Sequence, residues 1–334
     1  MPCKRAMRQT LKNIFYGAIH SAGVTRLARR LRRRHVPVLF YHGVATRRWP
    51  GVLDCERKHI LASALERHLS FLKENFQVVP LSRYADSLRG GPPLPEPCAV
   101  VTFDDGYTNN YSLAFPLLKK YALPATVYLA ADFVTQGQTL WVDRLAWAFE
   151  NTQAAPLEKI LSYLKTKNRL KSLPDEERES LADKICAELL GPRPPETPPL
   201  FAPLSRQQAR EMAGSGLVEF GSHGCRHAIL TNVTLEQARQ EIVSSKRIIE
   251  DFCGRPVASF SYPNGDFNAE IARMTAEAGY SSAVAGGLRL NAPDRTDPYA
   301  IARLALAEDD TPALIAATLC GIRGRLISWA GGPS

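Results

Sequence analysis

The stretch Ala99-Val100-Val101-Thr102-Phe103 runs straight into two adjacent carboxylates and a glycine, Asp104-Asp105-Gly106. An unbroken apolar and β-branched run of this length suits a strand buried on both faces, as in a parallel sheet. Gly106 permits a sharp turn, and the pattern beyond it predicts a helix over 109–121. Two carboxylates at the mouth of a buried strand repel each other. A bound cation is the simplest reason for them to coexist, because it inverts the local pKa logic.

Similar runs recur along the chain. Val36-Pro37-Val38-Leu39-Phe40-Tyr41 reads as a strand ending at His42, with Pro37 tolerated near its start. Further strands are expected at 76–81, 125–130, 216–221 and 257–261, with short ones near 281–285 and 301–306. Between them fall amphipathic helical patterns at 60–75, 206–212, 234–252, 267–278 and 311–323. Alternating strands and helices argue for parallel βα units. Residues 140–203 break the rhythm with three helical patterns (142–150, 156–166, 175–190) and a proline-rich loop from Gly191 to Pro203. They read as a helical insertion on one loop, not as a linker between domains.

The formal net charge of +9 belongs to one segment. Of 42 Lys and Arg, ten lie in residues 1–34, which hold no acid; the other 32 face 33 Asp and Glu. A basic body is therefore absent, and nucleic-acid binding is not expected. Within the segment, Leu11, Ile14, Phe15, Ala18, Ile19 and Ala22 recur at helical spacing, ahead of a cationic run from Arg26 to Arg34. Two readings stand: an amphipathic helix on an anionic membrane surface, or a helix packing its apolar stripe on the domain. No run has the length of a transmembrane helix, and no apolar core with a cleavage site marks a secretory signal. The seven cysteines are scattered without a CxxC pair, which points to a reducing compartment. A cytoplasmic or membrane-peripheral location is the expectation; oligomeric state is not legible.

His223 and His227 follow the 216–221 strand, four residues apart. If that turn is helical, both imidazoles share one face and can reach a single ion. Two His with one carboxylate, leaving a position open, is a catalytic rather than a structural zinc arrangement. Neither HxxxH nor Asp-Asp is specific alone. Together, at the ends of two parallel strands where sites of such folds form, they are.

Thr102-Phe103-Asp104-Asp105-Gly106 resembles the first motif of the NodB-type polysaccharide deacetylases (NodB homology domain, carbohydrate esterase family 4), and His223-x-x-x-His227 resembles their second. The resemblance covers roughly 36–306, with the core motifs in 98–306. It implies an α/β fold, an irregular (β/α) barrel of about seven strands, spanning 35–334 after the basic segment. It also implies a divalent metal, most often Zn2+, and removal of acetyl groups from N-acetylated sugars of surface polysaccharide or exopolysaccharide. By position, Asp104 would be the general base, with Asp105, His223 and His227 the metal ligands.

Three departures stand out. Gly224 follows the first His, where the family has Ser or Thr bracing the loop. The third motif, Arg-x-Pro-Tyr, is matched by Ser261-Tyr262-Pro263-Asn264. The backbone N–H of Asn264 could still serve as oxyanion donor, but the Arg that braces the base is missing; Arg303 is a candidate replacement, or a structural Arg. Finally, no His follows His227, whereas the family's general acid is a His on a C-terminal strand. His42 fills that role if the barrel is circularly permuted, as in poly-N-acetylglucosamine deacetylases; otherwise it is a buried core His. Cys225 reads as a fourth ligand or a packed loop residue, and Trp141 and Asp143 as a border of the sugar cleft or a helix anchor. The expected function is metal-dependent N-deacetylation of a glycan. The alternative is a non-catalytic carbohydrate-binding or membrane-associated polysaccharide-assembly protein on the same fold.

Overall fold

The computed structural model of the protein describes residues 2–324 apart from 50, 193, 194 and 288, and side chains from Thr10 onward. Arg193 and Pro194 of the proline-rich loop, the side chains of Lys4, Arg5 and Arg8, and residues 325–334 of the expected domain lie outside the described residues. Ten strands form among the described residues: β1 (Val38–Tyr41), β2 (Gly43–Ala45), β3 (His59–Leu61), β4 (Gln77–Val78), β5 (Cys98–Phe103), β6 (Ala125–Leu129), β7 (Val218–Ser222), β8 (Ser259–Ser261), β9 (Ser282–Ala285) and β10 (Ile301–Ala302).

Seven of them run in the order β1-β5-β6-β7-β8-β9-β10, all parallel, with β4 added beside β5. Beyond β10, Leu304 bridges Leu39 in parallel. Its N–H donates to the Val38 carbonyl at 2.7 Å, and the Phe40 N–H donates to the Leu304 carbonyl at 3.1 Å. The first barrel strand in the chain therefore stands between β5 and the last, and the barrel is nearly closed. This is the irregular seven-stranded (β/α) barrel expected, in the permuted order.

Period-two alternation sets what faces the barrel axis. Val38, Val100, Tyr128, Val284 and Ile301, from five strands, form one core inside it; Leu39, Tyr41, Ala99, Val101 and Phe103 join the larger core under the helices. Burying each such aliphatic or aromatic side chain contributes about 1.5–3 kcal/mol. Carried one step past the strands, the inner register reaches His42, Asp104 and Arg303.

Several spans are shorter than the sequence suggests. The helix expected at 60–75 starts at Ala62, because His59–Leu61 pairs with Gly43–Ala45. The 76–81 strand is only Gln77–Val78, followed by a helix from Leu81 to Leu88. The 109–121 helix opens with a π turn at Asn110–Ala114. Here Asn109 accepts the Val44 N–H at 2.8 Å and Asn110 donates to the His42 carbonyl at 2.7 Å, which ties this turn to the chain around His42.

Helices Trp141–Glu150, Pro156–Lys171 and Asp175–Leu190 lie between β6 and β7, which still pair directly with each other. At the N-terminus, helix Pro2–Ser21 packs on Pro312–Leu319 through Tyr16, Leu314 and Ala317, and helix Val24–Leu31 lies against the same C-terminal helix. The apolar stripe is not what packs: Leu11, Ile14 and Phe15 are 59%, 63% and 50% exposed. No helix among the described residues is long and apolar enough to cross a membrane.

Candidate active site

Alternation separates the two adjacent carboxylates. Asp104 keeps the inner register of Thr102, while Asp105 has φ 74, a left-handed turn that sends its side chain elsewhere. Gly106 follows at φ 89, where a Cβ would meet Leu129 Cδ2 at 2.6 Å, so the turn requires glycine. Each carboxylate then has its own cation.

Asp104 meets Arg303 fork to fork, Nη1 to Oδ1 at 2.7 Å and Nη2 to Oδ2 at 2.8 Å, with both residues buried. Arg303 also donates to Thr102 Oγ1 at 3.2 Å and Ser261 Oγ at 3.0 Å, and lies 4.9 Å over the Phe40 ring. Ser261 stands where the motif Arg was expected, and its small side chain leaves room for this guanidinium. Burial alone would raise the Asp104 carboxyl, but the Arg303 guanidinium holds it below the ordinary value.

Asp105 Oδ1 lies 3.6 Å from His223 Nε2 and 3.5 Å from His227 Nε2, and the three donor atoms all fall within 4.8 Å of one another. Four tetrahedral ligands around zinc at ~2.0–2.1 Å stand about 3.4 Å apart, so the spacing fits one small divalent ion. Two further observations agree. Both Asp105 oxygens are buried without a well-aligned hydrogen bond from the protein. His223 Nδ1 is 2.7 Å from the Ser261 carbonyl, a bond that requires the proton on Nδ1 and leaves the Nε2 lone pair facing the group. Burial, reinforced by His223, pushes His227 down to about 3, so it is the neutral imidazole a metal needs.

The two histidines do not share a helical face as anticipated. Residues 223–227 form an irregular loop, with φ 78 at Gly224 and φ 59 at His227. Glu241, from helix Leu235–Cys253, accepts the N–H of Cys225 at 2.8 Å and of Arg226 at 3.1 Å, and Arg226 Nε at 3.2 Å. A Cβ at residue 224 would stand 2.9 Å from Glu241 Oε2. The brace expected from a Ser or Thr hydroxyl is thus supplied by a buried carboxylate, and glycine makes room for it. Cys225 packs against the same helix, its thiol pushed up to about 12 by burial and Glu241, and it is not among the grouped donor atoms.

Sequence reasoning missed Lys58. Its Nζ is 2.9 Å from Asp105 Oδ2 and 3.2 Å from Asp143 Oδ1. Burial lowers this ammonium's pKa, but the two carboxylates outweigh that and raise it to about 12. Burial alone would raise the Asp105 carboxyl; the Lys58 ammonium is the main group holding it well below the ordinary range. Asp143 is therefore a buried partner of Lys58 and Tyr107. Trp141 is buried under the Arg178 guanidinium, anchoring its helix while one edge reaches the cavity.

Lys58, Asp104, Asp105, His223, His227 and Arg303 line a cavity of about 720 Å³ at the C-terminal mouth of the barrel. His42 opens onto it, packed edge-on against Phe40 at 5.8 Å. Its imidazole is lowered by burial, against the pull of Asp105 and Asp104. Across the cavity, exposed Asn264 has φ 60, and its side chain accepts from Lys171 at 2.5 Å.

Residues 91–283 match the polysaccharide deacetylase family. YxkH of Bacillus subtilis (strain 168), whose name places it among polysaccharide deacetylases, is 23% identical over 250 residues, which span 75% of this chain and 63% of YxkH. The poly-beta-1,6-N-acetyl-D-glucosamine N-deacetylase of Escherichia coli (strain K12) is 42% identical over 67 residues, only 20% of this chain and 10% of that protein. Among solved structures, the Streptococcus pyogenes deacetylase PplD in complex with acetate superposes with TM-score 0.61 at 16% identity, covering 85% of this chain and 98% of that one. The family match spans more than half the chain, and the barrel agrees with it: the chain belongs to the polysaccharide deacetylase family of hydrolases.

Proposed function

We propose that the protein is a divalent-metal-dependent N-deacetylase of an N-acetylhexosamine-containing glycan. The observation that carries this reading is the juxtaposition at one barrel mouth of an Arg-held carboxylate, Asp104, with the Asp105–His223–His227 donor set. A cation held there, of which Zn2+ fits the spacing, supplies Lewis acidity toward the acetyl carbonyl. Asp104, fixed by Arg303 and ionised, keeps lone pairs free to take a proton from the attacking water. In this reading the backbone N–H of Asn264, which borders the cavity, serves as the oxyanion donor. His42, on the cavity wall, then gives a proton to the departing amine. An acetate-release assay over polymeric, lipid-linked and small N-acetylated glycans, with and without chelator, tests the reading. Chelator-sensitive release is expected; no release from any of them contradicts it.

We treat residues 1–34 as a separate element ahead of the catalytic domain and propose that it rests on an anionic membrane surface. Supporting this are the exposed Leu11, Ile14, Phe15, Leu27 and Leu31, and the exposed Arg26, Arg30, Arg33 and Arg34 beside them. Apolar insertion and about 1 kcal/mol per nearby Lys or Arg would act together.

A further inference from the structure

We infer that Lys58 positions Asp105 as a one-oxygen metal ligand, holding Oδ2 so that Oδ1 alone faces the two imidazoles. The inference rests on Asp105, His223 and His227 being the metal ligands. A carboxylate can offer a cation one oxygen or two. Here the two oxygens have different surroundings. Neither oxygen accepts a well-aligned hydrogen bond within the protein, but Oδ2 is ion-paired at 2.9 Å with the Lys58 ammonium, whereas Oδ1 lies 3.5–3.6 Å from both Nε2 atoms.

The ammonium is itself fixed. Asp143 oxygens lie 3.2 and 3.4 Å from Nζ on its other side, and the Tyr107 ring covers it at 5.0 Å. The Tyr107 hydroxyl donates to Asp143 at 2.5 Å, and His59, which follows Lys58 in the chain, packs on the Tyr107 ring at 4.7 Å. Two carboxylates and an aromatic face oppose movement of this lysine away from Asp105 when a second cation binds.

Two consequences follow. Denying the cation a second carboxylate oxygen keeps its coordination low, as a catalytic site with an open position requires. A fixed positive charge beside the ligand also repels a divalent ion, so the site binds its metal less tightly than its donor set alone would allow.

The test uses the full chain stripped of metal, as wild type, Lys58→Met and Lys58→Gln; the glutamine keeps a donor for the buried carboxylates where methionine could compromise folding. Zn2+ affinity is read by competition with a chromophoric chelator, and coordination by the visible spectrum of Co2+ in the same site. Both variants should bind Zn2+ about fivefold or more tightly than wild type, as expected for removing a like charge. Co2+ in Lys58→Met should show weaker visible bands, the sign of a higher coordination number. Zn2+ binding unchanged or weaker in the folded variants overturns the inference, as does an unchanged Co2+ spectrum in Lys58→Met. A wild-type chain that takes up no stoichiometric metal overturns the ligand assignment and this inference with it. A wild type that binds one ion, matched by its variants, overturns this inference alone.

Discussion

Arg303 and Asp104 are 199 positions apart in the chain and meet through two parallel hydrogen bonds of 2.7 and 2.8 Å inside the barrel mouth. The planar guanidinium matches the carboxylate oxygen for oxygen, which fixes orientation as well as charge. Arg303→Met leaves Asp104 buried without its counter-ion. Urea denaturation should then show a loss of about 3–5 kcal/mol, with acetate release falling in the same variant. Arg303→Lys should recover part of the stability but not the rate, since a point charge cannot reproduce the fork. Full activity in Arg303→Lys would show that orientation of Asp104 is not what Arg303 provides.

Glu241 holds the loop that carries both histidines, through two backbone N–H groups. Glu241→Ala should weaken Zn2+ binding by about 10–100-fold, the usual cost of losing a group that orients metal ligands. Isothermal titration of the metal-free variant reads this directly. Wild-type affinity would mean that the loop is held by its other contacts.

Buried His68 stacks on Tyr41 and lies 3.3 Å from its hydroxyl, and burial lowers it to about 4 from an ordinary value near 6.5. Between those values the unfolded chain binds a proton that the folded chain refuses. This contribution is therefore complete above about pH 6.5 and is lost as pH falls through about 4, up to about 3 kcal/mol. Denaturation midpoints measured from pH 7.5 down to 4.5 (about two units below the ordinary histidine value) should fall steadily, and His68→Gln should flatten the slope. Parallel slopes in the two proteins would contradict the assignment.

The N-terminal helices leave Leu11, Ile14 and Phe15 to solvent. The full chain should sediment with vesicles of equimolar phosphatidylglycerol and phosphatidylcholine, and less so as salt is raised. A Leu11→Asp, Ile14→Asp, Phe15→Asp variant should stay in the supernatant while hydrolysing soluble glycans as before. Equal sedimentation of variant and wild type would remove the apolar stripe from the account.

The barrel was legible because its buried strands are uninterrupted apolar runs, and Asp105, His223 and His227 because each follows such a run. Their conformation was not: sequence spacing suggested a helical turn, and only Gly224 and His227 in left-handed backbone bring the imidazoles together. The repulsion between Asp104 and Asp105 also has a fuller answer than a cation shared by both. Each carboxylate has a protein cation, Arg303 or Lys58, and Oδ1 of Asp105 is the oxygen that faces the two imidazoles. Lys58 escaped notice because it lies outside any predicted element, in Arg57-Lys58-His59, with nothing local to mark it as buried. Glu241 sits on the inner face of an amphipathic helix, and its role depends on a loop that sequence periodicity does not describe.

The central claim is that Asp104 takes a proton while Asp105 and the histidines hold a metal. Acetate release and bound zinc should be measured on the same preparations of wild type and Asp104→Asn, with an N-acetylglucosamine oligomer as substrate. The account predicts one zinc per chain in both proteins and a rate at least about 100-fold lower in the variant. Comparable rates in the two proteins would contradict it.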